Sequence, residues 1–236
     1  MSFISEIKSK LLCETENKNK LVTFINPFSY LELRKKNIVE EMDQIFVDGI
    51  LLVLMFRLFG IKVNRKSFDM TSLAPIIFEK SVQNNQKIYF VGAKQDEIQK
   101  FIVNIQRKFD KLEIIGFRNG YFSSFEERSD VLKKIDFLNP DIVIIGMGTP
   151  KQEQFLIDLK KLGWKGTGYT CGGFIHQTAK GINYYPEFFN KFNLRWLYRF
   201  VDERRVFIRT VKTYPIFIII FLFDNFKSRF SKQYLL

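Results

Sequence analysis

The sequence predicts an α/β fold: a mainly parallel, Rossmann-like sheet with helices on both faces, followed by a helical C-terminal appendage. Short apolar segments alternate with segments of helical periodicity, which is the order of βαβ units. The apolar segments are continuous rather than alternating, as expected for strands that are covered on both faces. The 236 residues are 46% hydrophobic and include 27 phenylalanines, enough to fill the core of such a domain.

The first part of the chain predicts two strands and two helices. KLVTFIN (20–26) and QIFVDG (44–49) have the apolar, β-branched composition of strands. Residues 50–60 are apolar on nearly every side, which is typical of a helix buried on several faces. TSLAPIIFEKSVQNN predicts a second helix with Thr71 or Ser72 as its N-cap.

The middle of the chain continues the alternation. The predicted strands are KIYFVG, LEIIGF, DIVIIGMG and GTGYTCGG. Helical patterns lie between them, over Gln95–Phe109, Phe125–Phe137 and Lys151–Leu162.

The composition changes near Asn193. NLRWLYRFVDERRVFIRTVK predicts one basic amphipathic helix. The apolar run Ile216–Phe223 that follows has eight residues, fewer than the roughly 20 that span a bilayer. We therefore expect an α/β domain over residues 1–192 and a basic, apolar appendage over 193–236 that lies on a membrane without crossing it. The alternative is that the apolar run packs against the domain or a second subunit and does not meet lipid.

Charge and cysteine content limit the possible partners. Lys and Arg number 37 against 25 Asp and Glu, so the net charge of +12 favours an anionic partner: nucleic acid, anionic lipid or a phosphorylated substrate. Cys13 and Cys171 form no disulfide framework, which indicates a reduced, cytoplasmic protein. The N-terminus lacks the basic start and apolar run of a secretory signal.

PDIVIIGMGTPKQEQF is the stretch most suggestive of a ligand. Gly146 and Gly148 place bare backbone N–H groups at a strand end, where a following helix N-terminus attracts phosphate. A structural explanation is also open, because Thr149 as N-cap, Pro150 and Gln152 would form a capping box. GMGTP is neither a Walker loop nor a dinucleotide fingerprint, so spacing alone does not decide between the two.

Few other residues suggest chemistry by type alone. Asp48 precedes Gly49 at a strand end; such a pair often marks a turn, yet a carboxylate here could act as a base. His176, the only histidine, is interpreted as a loop or core residue. One histidine and two distant cysteines do not make a zinc site, and no D-x-D motif occurs, so no metal is expected.

Nine segments together carry a family resemblance. They are TFINPFSY, IFVDGILLVLMFRLFG, RKSFDMTSL, IYFVGAKQDEI, NGYF, PDIVIIGMGTPKQEQF, CGGFIHQTAKG, YYPEFF and LRWLYRFVDERRVFIRT. In this order, from about Leu21 to Thr210, they resemble the WecG/TagA/CpsF glycosyltransferases, or glycosyltransferase family 26. GMGTPKQE and LRWLYR are the most specific pair.

The resemblance implies an activity and a location. It implies inverting transfer of a sugar from a UDP-sugar to a polyprenyl-diphosphate-linked saccharide, in cell-surface polysaccharide biosynthesis. The enzyme would need neither metal nor cofactor and would sit on the cytoplasmic face of the cell membrane. Nucleic acid would not be a partner, and a homo-oligomer is compatible with this reading.

The resemblance also implies roles for individual residues. Asp48 matches the aspartate proposed as general base for the acceptor hydroxyl. Thr23 and Asn26 match polar residues that line the same pocket, and Arg65 matches an active-site arginine. Tyr121 and Gln152 match positions associated with the nucleotide, beside the Gly146–Gly148 turn. The appendage arginines Arg199, Arg204, Arg205 and Arg209 would close over the diphosphate, since guanidinium groups bind phosphate oxygens in pairs.

The chain departs from the family pattern at three places. Many relatives read RVTGSD, GGAFDF and RAP where this chain reads RKSFD, GGFIHQ and YYP. These segments lie where the substrates are expected to meet, so the sugar specificity stays open.

Two other classes are compatible with parts of the sequence. A nucleotide-dependent α/β methyltransferase would need a glycine-rich fingerprint after the first strand, and KLVTFINPFSY argues against it. A membrane- or nucleic-acid-associated α/β binding protein without transferase activity would also explain the charge. Its basic residues cluster at the C-terminal end, which favours a membrane surface over a nucleic-acid groove.

Overall fold

A computed structural model describes residues 2–11, 19–186, 188–189 and 194–233. Cys13 and the predicted boundary between residues 192 and 193 lie outside these ranges, so the two-region division stays a prediction.

Within the described residues, six strands form one parallel sheet. The strand order is β2-β1-β6-β5-β3-β4, and every neighbouring pair is parallel. The strands are β1 Leu21–Ile25, β2 Gln44–Val47, β3 Ile88–Gly92, β4 Ile114–Arg118, β5 Ile142–Gly146 and β6 Thr167–Thr170. The predicted α/β fold with a mainly parallel sheet is confirmed.

Helices cover the sheet and form the C-terminal part. They are α1 Phe3–Leu11, α2 Pro27–Lys36, α3 Ile50–Leu58, α4 Leu73–Gln83, α5 Gln95–Lys108, α6 Phe125–Leu138, α7 Lys151–Leu162, α8 Phe174–Lys180, α9 Arg195–Asp202 and α10 Arg204–Gln233. A 3₁₀ helix, Ile38–Glu41, precedes β2. The helices predicted between residues 50 and 162 are confirmed to within a few residues at each end.

Helices α1, α2 and α8 were not anticipated from the periodicity. Helix α2 nevertheless has a clear start signal: Asn26 caps it and Pro27 takes the first helical position. The Asn26 side chain accepts hydrogen bonds from the backbone N–H groups of Phe28 and Ser29, both at 3.0 Å. The Ser29 hydroxyl in turn accepts from the Asn26 N–H at 2.8 Å, so this start is a capping box.

Side chains alternate between two cores, one on each face of the sheet. On β1, Leu21 and Ile25 join the core formed with α1, α2, α3, α6, α7 and α10. Val22 and Phe24 point the other way, into the core formed with α4, α5 and α8. This period of two explains why continuous apolar strands are needed when both faces are covered.

The basic helix predicted from about residue 194 to 212 is instead two helices. The break falls at Glu203, whose backbone is extended (φ −127°, ψ 84°). Its N–H donates to the Arg199 carbonyl at 2.8 Å and closes α9, while its carbonyl accepts from Val206 at 2.8 Å and opens α10. The sequence did not reveal this break, because no glycine or proline marks it between residues 194 and 214.

Helix α10 is much longer than the apolar run within it. It passes through Pro215 and extends for 30 residues. Its stretch Arg204–Ser228 is long and apolar enough to cross a membrane by length and composition alone, and an 18-residue window within it has a mean hydropathy of 1.8. The expectation of a segment too short to span rested on the eight-residue run, which is only the centre of this helix.

One face of α10 packs on the body of the protein. Phe217 and Phe221 are fully buried in the same core as the sheet, with ring centroids 5.3 and 5.5 Å from that of Tyr30. Next to them, buried Asp224 accepts hydrogen bonds at 2.8 Å from the Tyr30 hydroxyl and from two nitrogens of Arg34. The opposite face, which includes Ile216, Ile219, Phe223 and Phe226, is exposed.

Candidate active site

A cavity of about 930 Å³ lies beyond the C-terminal ends of β1, β2 and β6, between the sheet and helices α9 and α10. Ligands of parallel α/β sheets bind at this edge, because the loops after the strands meet there. Of the site residues predicted from sequence, those that line it are Asn26, Asp48, Arg65, Gly148, Gln152, Arg199, Arg205 and Arg209. Thr23, Tyr121, Gly146 and Arg204 do not line it.

Asp48 and Arg65 form an ion pair at the cavity wall. The Nη2 atom of Arg65 donates to Oδ1 of Asp48 at 2.8 Å. Arg65 reaches this place because its segment bridges the end of β2 at Val47. None of the described residues hydrogen-bonds to Oδ2 of Asp48, and the side chain is about one third exposed. The pair therefore leaves one carboxylate oxygen open to a ligand proton.

Asp69, which was not singled out from the sequence, extends this pair into a row of alternating charges. Its carboxylate accepts from the Ser67 and Thr71 hydroxyls, both at 2.6 Å. It also lies 3.7 Å from Arg65 and 3.2 Å from Arg195 of α9. Burial alone would raise the pKa of Asp69, but the hydrogen bonds from Ser67 and Thr71 and the charge of Arg195 outweigh burial and hold this pKa below its usual value. The row connects Asp48 to the appendage.

The appendage brings several guanidinium groups to the cavity wall. The pKa of Arg195 is lowered, first by burial and then by the nearby positive charge of Arg65. The pKa of Arg209 is also lowered, first by burial and then by the charge of Arg199. Arg199 is held by Glu203, whose carboxylate accepts from Nε at 3.0 Å. Positive groups crowded in this way are stabilised by an anion between them, so the cavity suits a diphosphate.

A buried carboxyl lies directly behind the wall. Glu153 is fully buried, and its Oε1 accepts from the hydroxyl of Thr23 at 2.9 Å, that of Thr149 at 3.1 Å and the amide of Gln152 at 3.0 Å. Thr23 therefore supports the site from inside instead of facing the cavity. Burial raises the pKa of Glu153. Within the described part of the chain, Oε2 of Glu153 and Oε1 of Gln152 have no partner.

The capping box predicted at the start of α7 is wrong. The helix begins at Lys151, and no side chain caps it. The Thr149 hydroxyl bonds to the side chains of Glu153 and Gln152 (3.1 and 3.4 Å) instead of to a backbone N–H. The sequence TPKQE contains Glu153, but it does not show that this glutamate is buried. The hydrogen bond that Thr149 makes with it could therefore not be predicted.

The two glycines of this turn have different tasks. Gly148 has φ +77° and open space around it, as the exposed turn at the cavity requires. A Cβ on Gly146 would lie 2.8 Å from the Gly172 carbonyl oxygen and 3.0 Å from the Cys171 sulfur. Gly146 therefore permits close strand packing and does not face the cavity.

Tyr121 and His176 lie outside the cavity. Tyr121 is 66% exposed in the loop after β4, where neighbouring Gly120 donates to the Ala93 carbonyl at 2.9 Å. This loop lies near the ends of the neighbouring strands β3 and β5, where the strand order reverses: the chain continues from β3 to β4 on one side and from β5 to β6 on the other. Nucleotides commonly bind at such a point of a parallel sheet. His176 Nδ1 is 2.8 Å from Glu97 Oε1 on the other side of α8. Among the described residues, no cluster of acidic, histidine or cysteine side chains could hold a metal ion.

Known proteins resemble this chain over nearly its whole length. It is 38% identical, over 94% of both chains, to a protein of Shigella boydii named UDP-Gal:alpha-D-GlcNAc-diphosphoundecaprenol beta-1,4-galactosyltransferase. Two N-acetylglucosaminyldiphosphoundecaprenol N-acetyl-beta-D-mannosaminyltransferases are more distant. The one from Bacillus spizizenii is 28% identical over 86% of this chain and 78% of its own, and the one from Bacillus subtilis is 25% identical over 77% and 71%.

The family profile described as "Glycosyl transferase WecG/TagA/CpsF family" matches residues 4–231. The match includes both the strand ends that carry Asp48 and Gly148 and the helices that carry the cavity arginines. The chain thus belongs to the WecG/TagA/CpsF family of glycosyltransferases.

Proposed function

We propose that this enzyme transfers a hexosyl residue, with inversion, from a UDP-sugar to a polyprenyl-diphosphate-linked saccharide in cell-surface polysaccharide biosynthesis. The observation that carries the proposal is the cavity itself, which is lined both by Asp48 and by arginines of the appendage. The Shigella boydii relative, a galactosyltransferase by name, makes UDP-galactose the first donor to test. Family membership supports this reading over a binding protein without transferase activity.

In the proposed reaction Asp48 acts as the general base. Its Oδ2 takes the proton of the acceptor hydroxyl while that oxygen forms a bond to the anomeric carbon. The bond between the anomeric carbon and the UDP oxygen breaks, and its electron pair stays on the diphosphate. Arg65 keeps the Asp48 carboxylate in one orientation through its 2.8 Å hydrogen bond. One displacement on the face opposite to UDP inverts the anomeric centre.

The leaving diphosphate would be stabilised by protein groups. Arg199, Arg205 and Arg209 line the cavity on the side of the appendage, and the Gly148 turn lines it on the side of the sheet. Charge placed in advance where negative charge develops lowers the barrier without a metal ion. We therefore expect full activity in excess EDTA. Loss of activity in EDTA that Mn²⁺ or Mg²⁺ restores would show that a cation takes part.

The enzyme would bind the cytoplasmic face of the cell membrane peripherally. Apolar side chains on α3, α9 and α10 are exposed; they include Leu54, Leu58, Val201, Ile219 and Phe223. Each buried apolar side chain contributes about 1.5–3 kcal/mol, and each nearby basic residue about 1 kcal/mol on an anionic bilayer. This location suits an acceptor that its lipid holds in the membrane.

A donor and acceptor screen tests the activity. The full chain is incubated with GlcNAc-diphosphoundecaprenol and either UDP-galactose or another UDP-sugar, and released UDP and the glycolipid product are measured together. We expect UDP release that depends on the acceptor, and a product heavier by one hexose. The absence of acceptor-dependent release with every UDP-hexose and UDP-N-acetylhexosamine would refute the proposal.

A further inference from the structure

Gln177 lines the candidate site, and its amide has no hydrogen-bond partner among the described residues. Gln177 lies on α8, and its side chain is only 7% exposed. Throughout the described ranges, no residue hydrogen-bonds to this amide, although its backbone N–H is bonded to the Gly173 carbonyl. Since the amide is not fully enclosed and lines two cavities, a ligand in either cavity can supply the hydrogen bonds that the protein does not.

Gln177 stands between the main cavity and a smaller side cavity. The side cavity has a volume of about 350 Å³ and opens between α8 and the segment that carries Tyr184 and Tyr185. Four residues line both spaces: Asp69, Phe174, Gln177 and Tyr185. A ligand that extends from one space into the other would lie beside these four residues, and Gln177 is the one that carries an amide.

The amide also lies close to a guanidinium group that faces the main cavity. A Cβ placed on Gly173 would be 3.2 Å from Nε2 of Gln177 and 3.6 Å from Nη2 of Arg199. Both groups approach the same point above Gly173. If Arg199 binds the diphosphate of a UDP-sugar, one of the two groups bonded to that diphosphate, the hexose or uridine, is within reach of Gln177.

We propose that Gln177 hydrogen-bonds a hydroxyl group of the hexose that is transferred, and that the side cavity receives this hexose. The inference rests on the proposed function. An amide offers both donor and acceptor atoms, which match a hydroxyl group. Asp69 in the same wall is already occupied by Ser67, Thr71 and Arg195, so it is less available to a sugar.

The sequence position of Gln177 agrees with a role in specificity. It ends GGFIHQ, one of the segments in which this chain departs from the pattern of many relatives. Phe174, from the same segment, and Tyr185, from YYP, complete the shared wall. The general base Asp48 lies on a different element, after β2, so the two functions are carried by separate parts of the chain.

The variant Gln177→Met tests the proposal, because methionine has a similar length but forms no comparable hydrogen bonds. Gln99→Met, at an exposed position on α5, is the matched control. Binding of UDP and of UDP-galactose is measured by calorimetry with the full chain. We expect Gln177→Met to bind UDP as the wild type does, but to lose roughly tenfold of the affinity for UDP-galactose. The control should change neither.

A second measurement needs no variant. UDP-galactose analogues that lack single hydroxyl groups are compared on the wild type, and one of them should bind about tenfold more weakly than the parent. The same analogue should lose little further affinity on Gln177→Met. If no deoxy analogue is weakened, or if Gln177→Met keeps the full preference for UDP-galactose over UDP, the inference is wrong.

The remaining outcomes separate this inference from the proposed function. If the wild type binds neither UDP nor any UDP-sugar, both fail. If Gln177→Met raises only the KM for the lipid-linked acceptor and leaves donor binding unchanged, the assignment to the donor hexose is overturned. In that case the side cavity holds the acceptor sugar, and the proposed transfer reaction still stands.

Discussion

The two oxygens of the Asp48 carboxylate have different surroundings. Oδ1 accepts the hydrogen bond from Arg65, whereas no described residue bonds to Oδ2. Gly49 follows with φ +124°, a conformation that other residues rarely adopt, and it turns the chain into α3 at this point. One oxygen therefore fixes the carboxylate in place, and the other remains available as a base.

Asp48→Asn should slow transfer without preventing donor binding. Asparagine keeps the size of the side chain and can accept from Arg65, but it cannot take the proton, and loss of a general base costs on the order of 100- to 10,000-fold in rate. The measurement is kcat with both substrates saturating, beside calorimetric binding of UDP. Asp96→Asn, at an exposed position on α5, is the control. A decrease below about threefold would mean that Asp48 only forms the turn.

Glu153→Gln should change how stability depends on pH. Burial raises the pKa of Glu153 in the folded protein above its ordinary value of 4.5. Its contribution to stability is fully present below the ordinary pKa and is lost as the pH rises through the folded pKa. Glutamine does not titrate, so the wild type should lose stability relative to Glu153→Gln by up to about 1.4 kcal/mol per pH unit above pH 4.5.

The comparison is made by urea unfolding of both proteins at several pH values between 5 and 8. All other titrating groups are common to the two proteins, so they cancel in the difference. A difference in unfolding free energy that stays constant across this range would show that Glu153 is not buried as an acid.

At the residue scale, the family resemblance predicted Asp48, Asn26 and Gly148 for the site, and all three line the cavity. Side-chain type and position after a strand left Asp48 and Gly148 open between a turn and a ligand site, and did not single out Asn26. The same reasoning missed Glu153 and Gln177. The reason is physical. Glu153 is hydrogen-bonded by Thr23, which lies 130 positions earlier in the chain. Gln177 lines two cavities that are formed by segments distant in sequence. Burial of this kind depends on how distant segments pack, which local patterns do not specify.

At the scale of the element, α10 has two faces with different roles. Phe217 and Phe221 pack in the core, while Ile219 on the opposite side is 69% exposed. The sequence predicted apolar character and a helical start, but an apolar run without period does not tell which face is buried. The polar residues that follow it, Asp224 and Asn225, mark the packed face, because each bonds to the N-terminal helices.

Substitutions on the two faces of α10 should separate stability from membrane binding. Phe217→Ala should lower the free energy of unfolding by about 3–5 kcal/mol, because it leaves a cavity in the core. Ile219→Ser should change it by less than about 0.5 kcal/mol, since the side chain is exposed. Urea unfolding and sedimentation with anionic liposomes measure the two properties. Equal destabilisation by both substitutions would contradict the observed packing.

At the scale of the whole molecule, the net charge of +12 and the exposed apolar side chains would both contribute to the proposed binding to an anionic membrane. The fold class could be predicted in outline, because alternation of strands and helices admits few parallel arrangements, whereas the order of the strands was not predicted. The separation of the appendage into α9 and α10 could not be predicted, since it depends on contacts of Glu203 with both helices.

Membrane binding of the full chain should depend on both salt and lipid charge. We expect attachment to vesicles that contain anionic phospholipid, weaker attachment at 0.5 M salt, and little attachment to neutral vesicles, because salt screens charges at a surface. Ile219→Ser with Phe223→Ser should weaken binding at both salt concentrations. Binding that is indifferent to lipid charge would show that the basic residues do not contribute.

The hydrogen bonds of Asp224 also set a distance along α10. Apolar contacts tolerate sliding and rotation of a helix, whereas the directional bonds from Tyr30 and Arg34 allow one register. Arg209 lies fifteen positions before Asp224 on the same helix, or about 22 Å at 1.5 Å per residue. Because both residues lie on one continuous helix, the hydrogen bonds of Asp224 also fix the position of Arg209 in the cavity. One residue inserted between them would turn Arg209 by about 100° relative to Asp224 and so displace its guanidinium from its place in the cavity.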